Sequence, residues 1–185
     1  MSSWHRISLN DVPLTPWRNG KGTTRELVAF PVREHWHWRM SVADIETDGP
    51  FSAFEGVRRW FAVLSGAGVH LSTGGAQHLL TPTSAPLAFD GGAQTDCALV
   101  SGPTRDFNLM VRQGHGHMQH VSGDLALAVS SGAAIALWSG AAAARATFEG
   151  QAIELQPHTL AWRHLDFGGR VEVSANGGLW MEVSP

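Results

Sequence analysis

The chain has 185 residues, of which 43% are hydrophobic and 16% charged, a balance typical of a globular protein and not of a disordered one. Its formal net charge of −3 offers no basic surface for nucleic acid or for an anionic membrane, so neither partner is expected. A chain of this length can form one sizeable core or two small halves that share one.

The sequence has a single cysteine and no segment typical of export. Cys97 has no partner for an internal disulfide, which favours a reducing compartment. The amino terminus lacks the apolar stretch of a signal peptide, and no run approaches the ~20 apolar residues of a membrane-spanning helix. These observations predict a cytoplasmic protein without a membrane partner.

The first distinctive stretch is WRNGKGTTRE, residues 17–26, in which a lysine stands between glycines. A phosphate-binding loop of the form G-x-x-x-x-G-K-[ST] would need glycine at position 15 and serine or threonine at position 22. The chain has Thr15 and Gly22 at these positions, and no strand–helix–strand pattern follows. A nucleotide site is therefore excluded here.

Short apolar runs separated by 21 glycines and 9 prolines predict an all-β protein of many strands joined by tight turns. The pattern continues to the carboxyl terminus, where residues 171–173 alternate clearly. The stretch RQGHGHMQHVSGD, residues 112–124, is the best candidate for a connection between two sets of strands. We predict two β-barrel-like halves packed together, with a single large sandwich as the alternative.

Two of the predicted strands carry one apolar and one polar face, because alternate residues of a strand point to the same side. Arg39 and Ser41 share the polar face of the first strand, and Asp106 and Asn108 share that of the second. Such faces either meet solvent, as is usual in antiparallel sheets, or line the cavity of a small barrel. Both interpretations are open from the sequence.

Four stretches in combination resemble the signatures of the HutD/Ves family. Residues 17–26 are similar to W-[KR]-N-G-G-G-x-T-x-E, and residues 38–45, WRMSVADI, are similar to W-R-[IL]-S-x-A. Residues 48–60, DGPFSAFEGVRRW, resemble D-G-P-F-S-x-F-P-G-x-D-R, and residues 102–112, GPTRDFNLMVR, resemble G-P-x-x-D-[FL]-N-[LV]-M-x-R. The resemblance extends over roughly residues 4 to 113, and the remainder matches only in length and strand rhythm.

The chain departs from these signatures at three positions. Lys21 replaces the middle glycine, Glu55 replaces a proline, and Arg58 replaces an acidic residue. Two of these changes add positive charge near the signature, which leaves open a ligand different from the one usual for the family.

The resemblance implies a bicupin, in which two jelly-roll-type cupin barrels occupy residues 1–113 and 114–185. It also implies a protein that binds a small carboxylate and thereby modulates histidine catabolism, the ligand being an intermediate such as urocanate or formylglutamate. No cofactor is expected, and an enzyme is disfavoured because no activity is established for the family. Assembly as a homodimer is compatible with the sequence, which does not define the oligomeric state.

If the polar faces line a pocket, the residues that bind the carboxylate are Arg39, Ser41, Arg59, Asp106, Asn108, Trp17 and Asn19. A guanidinium group meets a carboxylate through two parallel charge-assisted hydrogen bonds, which suits Arg39 and Arg59. Asp106 would balance their charge in the free protein or accept a hydrogen bond from an imidazole N–H. Trp17 would stack on a flat ligand and Asn19 would supply an amide contact, although a structural turn explains both residues equally well.

Two H-x-H pairs require a metal hypothesis to be considered, because many cupins hold a metal through such a pair, a glutamate and a third histidine. His35 and His37 form one pair, and His115 and His117 form the other, extended by His120. Neither pair is followed by glutamate at the usual short distance. We therefore expect no physiological metal site, and only adventitious zinc or nickel binding at the second cluster.

Two other functions stay open beside carboxylate binding. One is a metal-free or weakly metal-dependent cupin enzyme that acts on a similar metabolite, and the other is a protein-binding regulator without a ligand. A thermal shift without turnover favours the binding protein, and turnover that is sensitive to a chelator favours the enzyme. Binding to a partner protein but to no metabolite favours the regulator.

Overall fold

The computed structural model describes residues 3–185, and strands dominate it, as the sequence predicted. The strands are β1 (His5–Ser8), β2 (Thr15–Pro16), β3 (Gly22–Phe30), β4 (Trp38–Ile45), β5 (Gly49–Pro50), β6 (Arg58–Ser65), β7 (Val69–Thr73), β8 (Ala76–Leu80), β9 (Leu87–Asp90), β10 (Thr95–Leu99), β11 (Thr104–Val111), β12 (His115–Val129), β13 (Ala134–Trp138), β14 (Ala144–Phe148), β15 (Gln151–Leu155), β16 (Thr159–His164) and β17 (Gly169–Ser184). A short 3-10 helix covers Leu9–Asp11. Within the described residues, no helix has the length and apolarity needed to cross a membrane.

The chain divides into two compact units. Pro13–Arg112 form one, which contains the four signature stretches and is called the signature unit below. Gln113–Pro185 form the other, the carboxyl-terminal unit, together with the amino-terminal residues up to Val12. The expected division was into residues 1–113 and 114–185. The amino-terminal strand β1 instead belongs to the carboxyl-terminal unit, because it pairs antiparallel with β16. A strand of four residues carries no sequence signal for the sheet edge that it will join.

The signature unit contains a six-stranded sheet, in the order β2-β3-β4-β11-β6-β9, and a four-stranded sheet, in the order β5-β10-β7-β8. Phe61 and Val63 of the first sheet pack with Leu71 and Cys97 of the second in one hydrophobic cluster. The face of the six-stranded sheet that carries Phe61 is therefore the interior face of this unit. Residues directly opposite each other on antiparallel strands share a face, so the strand register determines which other side chains point inward.

The carboxyl-terminal unit contains one seven-stranded sheet, in which β12 pairs with β17 beside the order β1-β16-β13-β17-β14-β15. The predicted connection at residues 112–124 is wrong for most of its length, because β12 begins at His115 and pairs with β17 as far as Val129. Glycines suggested a loop, yet β17 supplies a continuous hydrogen-bonding partner. The irregularity is confined to a register shift between Val121 and Ser122.

Candidate functional site

The predicted polar face of the signature unit points to its interior. Ser41 on β4 lies opposite Asn108 on β11, and Asn108 lies opposite Phe61 on β6, which belongs to the core. Arg39 and Arg59 both lie opposite Met110, one from each side. Three neighbouring strands therefore bring the predicted arginines, serine and amide to one inward face, where Ser41 and Asn108 are almost fully buried.

Arg59 is a buried cation beside aromatic rings. The residue is 5% exposed, and its Nη2 donates a hydrogen bond of 2.8 Å to Oδ1 of Asn108. Its guanidinium carbon lies 5.0 Å from the ring centre of Phe51, 5.1 Å from that of Phe89 and 5.9 Å from that of Phe54. Its Nε has no hydrogen-bond partner, and no acidic side chain in residues 3–185 forms an ion pair with it.

The charge of Arg59 is retained at neutral pH in spite of this environment. Burial and, to a smaller extent, the neighbouring Arg39 guanidinium together lower its pKa to about 10. Buried charges in proteins are normally paired, because transfer of an unpaired charge out of water is costly. Arg59 therefore provides a positive charge and a free N–H donor to any anion that reaches it.

Arg39 lies between two aromatic rings, and its contact with a carboxylate oxygen is long. Its guanidinium carbon is 5.2 Å from the ring centre of Trp36 and 5.0 Å from that of Phe54. Its Nε donates to the sulfur of Met110 at 3.3 Å, and its Nη1 lies 3.5 Å from Oε2 of Glu26. Burial lowers the pKa of Arg39, while Glu26 acts in the opposite direction. Phe54 borders both arginines, so the two guanidinium groups form one cationic cluster.

Glu26 is a functional candidate that the sequence reasoning missed. It lies on β3 directly opposite Ser41 and so shares the inward face. Besides Arg39, it contacts Arg33, whose Nε lies 2.6 Å from Oε1 of Glu26. The sequence did contain a signal, because Glu26 ends the first signature stretch and occupies an alternate position on a strand beside the one that carries Arg39.

Asp106 lies on the inward face but does not balance the arginines. The residue is 0% exposed, and the hydroxyl of Thr104 donates a hydrogen bond of 2.8 Å to its Oδ2. Burial raises the pKa of Asp106 to about 8; the Thr104 hydrogen bond opposes the shift, and the like charge of Asp44 adds to it. The carboxyl is therefore mostly neutral at pH 7, and the acidic group that acts on Arg39 is Glu26 instead.

Cys97 is a buried thiol whose pKa is affected by the nearby Asp106. Burial, together with the negative charges of Asp106 and Asp48, raises the pKa of the Cys97 thiol to about 12. The thiol is thus protonated and unreactive at neutral pH.

Trp17 and Asn19 belong to a tight turn at one end of the signature unit. The backbone N–H of Gly20 donates to the carbonyl of Trp17, and Gly20 has the positive φ of +70° that favours glycine. Asn19 is exposed, and its Oδ1 accepts a hydrogen bond from the backbone N–H of Lys21. The conformation therefore fits the interpretation of Asn19 as a residue that stabilises a turn.

Trp17 is half-buried, and its indole N–H donates a hydrogen bond of 2.7 Å to the hydroxyl of Thr24. Its ring meets Phe51 edge-on, with 6.4 Å between the ring centres. Since Phe51 also contacts Arg59, Trp17 supports the wall of the cationic cluster and does not itself touch the guanidinium groups by any contact seen here.

The histidine pairs do not assemble into a metal centre in the described part of the chain, where no group of three or more His, Cys, Asp or Glu side chains is placed to hold an ion. His115 and His117 lie on β12, and the ring of His117 contacts Gln119 instead. His35 and His37 are exposed or half-buried in the turn before β4.

Comparison with known proteins identifies the family. The family model HutD matches residues 9–181. The chain belongs to the HutD family. The solved structure of HutD from Pseudomonas fluorescens SBW25, in a formate condition, is similar with a TM-score of 0.87 and 29% identity over 98% of both chains. The predicted membership of the HutD/Ves family is thereby confirmed.

Curated relatives of this HutD-family chain match it over part of their length. An uncharacterized 21.2 kDa protein in the hutC 3′ region of Pseudomonas putida is 40% identical over 113 residues, 60% of this chain and 59% of the relative. Protein Ves of Escherichia fergusonii is 39% identical over 57% of this chain and 56% of the relative. The matched segment thus spans less than two thirds of either relative.

The fold is cupin-like. A cupin 2 conserved barrel domain protein from Leptotrichia buccalis shares 7% identity with this HutD-family chain, yet its structure is similar with a TM-score of 0.59 over 98% of this chain and 96% of the other. At this identity the likeness concerns the fold alone.

The departures from the HutD/Ves signatures place their charges away from the cationic cluster. Lys21 directs its ammonium group to the backbone carbonyl of Asp48, at 2.6 Å. Arg58 is exposed and reaches only the carbonyl of Ala88, at 3.5 Å. Glu55 is exposed as well. These substitutions leave the inward face of this HutD-family chain with the residues that the signatures specify.

Proposed function

We propose that the chain binds a small carboxylate at Arg59 and Arg39 inside the signature unit, and that it modulates histidine catabolism by binding an intermediate such as urocanate or formylglutamate. The observation that carries this proposal is the buried guanidinium of Arg59, which retains its charge without an acidic partner in the described residues. A ligand carboxylate supplies the missing negative charge. The HutD family membership supports the same choice of ligand.

The hydrogen-bonding capacity of the cluster matches a carboxylate. Arg59 offers its free Nε, and Arg39 donates to a thioether sulfur, which is a weak acceptor, and to a Glu26 oxygen at 3.5 Å. A carboxylate that replaces these weak contacts gains short charge-assisted hydrogen bonds with planar geometry. Ser41 and Asn108 line the same face and supply a hydroxyl and an amide for the remainder of a ligand.

Aromatic rings limit the shape of the ligand and its access. Trp36 and Phe54 lie against Arg39, and they belong to the loops that precede β4 and β6. A flat ligand fits between such rings better than a bulky one. Phe54 contacts both guanidinium groups in this conformation, and we expect binding to include a movement of its ring.

The choice of a carboxylate agrees with the condition in which the structure of one relative was determined. HutD from Pseudomonas fluorescens has a structure in a formate condition, and formate is the smallest carboxylate.

For the fold, we propose the bicupin arrangement, in which each of the two units is one cupin-like barrel.

The test is calorimetric titration of the wild-type protein with formate, urocanate and formylglutamate, each at constant ionic strength. Formamide is the matched control, because it has the size of formate but no charge. We expect saturable binding of at least one carboxylate and none of formamide. Equal responses to formate and formamide, or no saturable response to any carboxylate, would contradict the proposal.

The same samples distinguish the alternative functions. Proton NMR of each ligand after prolonged incubation detects turnover, with and without a chelator. We expect the ligand to be recovered unchanged. Conversion of a carboxylate to product would make the chain an enzyme and overturn the choice of a binding protein.

A further inference from the structure

Arg112 extends the inward row of side chains on β11 by one further position. It lies two residues beyond Met110, which faces Arg39 and Arg59 from either side, and alternate residues of a strand share a face. Its backbone N–H donates to the carbonyl of His37, so the pairing between these two segments continues past the end of β11. The arginines of the row thus run from the buried Arg59 through the half-buried Arg39 to the exposed Arg112.

The ring of Trp36 links Arg112 to the cationic cluster. The guanidinium carbon of Arg112 lies 4.3 Å from the ring centre, and that of Arg39 lies 5.2 Å from the same centre. The two guanidinium carbons are therefore less than about 10 Å apart, and the charge of Arg112 acts on Arg39. Trp36 is buried and packs with Met110 and Val57, so its ring is a fixed support for the side chain of Arg112.

Arg112 is available to an anion. It forms no ion pair in the described part of the chain, and the contact seen for its guanidinium group is the one with Trp36. Arg33, the other exposed arginine that acts on Arg39, already has its Nε 2.6 Å from a carboxylate oxygen of Glu26. Since a guanidinium group has five N–H donors, Arg112 offers an open binding position at the exposed end of the cluster, called the rim below.

The charges around the cluster exceed what one carboxylate balances. Four guanidinium groups act on one another through Arg39, namely those of Arg33, Arg39, Arg59 and Arg112. Two acidic side chains oppose them, Glu26 at Arg39 and Arg33, and the exposed Glu34 at Arg33 alone. The net charge is therefore +3 with Glu26 alone and +2 with Glu34 included. A monocarboxylate leaves part of this charge unbalanced, whereas a dicarboxylate neutralises two positive charges.

We propose that Arg112 binds a second carboxylate of the ligand, so that the site selects dicarboxylates over monocarboxylates. This inference rests on the proposed function, because the first carboxylate occupies Arg59 and Arg39. Of the two ligands named there, formylglutamate has a second carboxylate and urocanate has none. Arg112 is then a binding residue at the rim, and Trp36 is a positioning residue that acts through it.

The length of a short diacid matches the spacing of the arginines. Carbon–carbon bonds of about 1.5 Å put the two carboxylate carbons of a four- or five-carbon diacid about 4–5 Å apart. Each carboxylate oxygen lies about 2.8 Å from the nitrogen that donates to it. The ligand and its hydrogen bonds together span the distance between the guanidinium groups of Arg39 and Arg112, which a ligand of the size of formate does not.

The experiment compares glutarate with glutaramate, in which an uncharged amide replaces one carboxylate of the same five-carbon chain. Both compounds and formate are titrated calorimetrically at neutral pH and constant ionic strength into wild type and Arg112→Gln. We expect wild type to bind glutarate about threefold or more tightly than glutaramate, the scale of an ion pair at an exposed position. Arg112→Gln should lose this preference and change formate affinity by less than about twofold, because solvent screens an exposed charge that the ligand does not contact.

Arg33→Gln and Arg58→Gln are the matched controls. Each removes one exposed positive charge from the signature unit; Arg33 acts on Arg39 but is held by Glu26, and Arg58 is directed away from the cluster. Both variants should keep most of the wild-type preference for glutarate. Arg112→Lys retains the charge without the planar fork and should keep part of it. Thermal unfolding of each variant accompanies the titrations, and a merely structural role of Arg112 would not change the glutarate-to-glutaramate ratio.

The outcomes separate this inference from the proposed function. Saturable binding of glutarate and glutaramate with equal affinity in wild type would overturn the role of Arg112 and leave the carboxylate site intact. An unchanged preference in Arg112→Gln would overturn it as well. Equal losses of preference in Arg33→Gln and Arg112→Gln would show a general charge effect and also overturn it. Absence of saturable binding of formate, glutarate and glutaramate in wild type would overturn the proposed function itself.

Discussion

Each unit of the chain buries one arginine in similar surroundings, and the two differ in the charge that they face. Arg59 in the signature unit donates to the amide oxygen of Asn108, and Arg163 in the carboxyl-terminal unit, which is 3% exposed, donates to that of Gln151 at 3.1 Å. Aromatic rings lie against both guanidinium groups, those of Trp4 and Phe148 in the case of Arg163.

The neighbouring charges are opposite in sign. Asp166 raises the pKa of Arg163 against the effect of burial, whereas Arg39 lowers the pKa of Arg59 and adds to the effect of burial. Packing of a guanidinium between rings and an amide is thus common to both units. An excess of positive charge is found at Arg59, and this excess is what makes the signature unit the better candidate for an anion site.

Replacement of the two arginines by lysine tests this difference most strongly. Arg59→Lys should lose on the order of 2–5 kcal/mol of carboxylate binding, because a point charge cannot reproduce the planar fork and the ligand carboxylate is left poorly paired. Arg39→Lys should show a loss of the same kind. Arg163→Lys is the control and should leave the affinity unchanged in calorimetric titration with formate.

If Arg59→Lys and Arg39→Lys both bound formate with wild-type affinity, the assignment of the carboxylate site to the signature unit would be wrong. An affinity loss confined to Arg163→Lys would assign it to the other unit.

Asn108→Asp should make Arg59 resemble Arg163 by giving it an acidic neighbour. The new carboxylate would lie where the amide oxygen now accepts the 2.8 Å hydrogen bond, and an ion pair would replace that bond. We expect formate affinity to fall by about 2 kcal/mol, the scale of a hydrogen bond to a charged group, because the substituted side chain competes with the ligand. Formate titration measures this effect.

Gln151→Glu is the corresponding change beside Arg163 and should not alter formate binding. Unchanged formate affinity in Asn108→Asp would contradict the view that an unbalanced charge on Arg59 recruits the ligand.

The buried carboxyl of Asp106 predicts a pH-dependent stability. Its pKa in the folded state is about 8, above the ordinary 3.8, so the folded protein binds the proton more tightly than the unfolded chain. Stability from this group is fully present below pH 3.8 and is lost as the pH rises through 8. Asp106→Asn should therefore be more stable than wild type at pH 9 by at least ~1.4 kcal/mol, the free energy of one pKa unit, and show no such gain at pH 4.

Urea denaturation at pH 4, 7 and 9 measures this difference. Glu182 in the carboxyl-terminal unit provides the comparison, because burial raises its pKa in the same direction while its side chain is only partly buried. Glu182→Gln should change the pH dependence in the same sense and by less. A gain in Asp106→Asn that is independent of pH would mean that Asp106 is ionised in the folded protein.

The smallest effect is expected in the carboxyl-terminal unit at the histidines of β12. Replacement of His115, His117 and His120 by alanine should change formate affinity by less than about 0.5 kcal/mol, as for substitutions remote from a site. The protein should also retain no stoichiometric metal after dialysis. Elemental analysis and formate titration check both statements, and either a tightly held metal or a lost formate response would show that these histidines contribute to function.

Much of this molecule can be predicted from residue patterns. Alternation along β4 and β11 indicated that Arg39 shares a face with Ser41 and that Asp106 shares one with Asn108, because the geometry of an extended chain is local. The four signature stretches indicated the family, since their residues and spacing are read directly from the chain. The all-β class followed from turn residues between short apolar runs.

Other features depend on contacts between distant segments. Whether the polar face meets solvent or the interior depends on the second sheet, whose Leu71 and Cys97 pack on the neighbouring residues of that face. The strand assignment of β12 depends on β17, and the placement of β1 depends on β16. No local pattern encodes these pairings.

The charge states also arise only in the folded chain. Asp106 is mostly neutral at pH 7 because neighbouring strands bury it. Glu26 lies near Arg39 because β3 pairs with β4. Residue types and their faces are local properties that the covalent chain imposes, so the sequence contains them. Burial, solvation and the balance of charge around Arg59 depend on contacts between segments that are distant in the sequence. They are therefore established only when the sheets have packed.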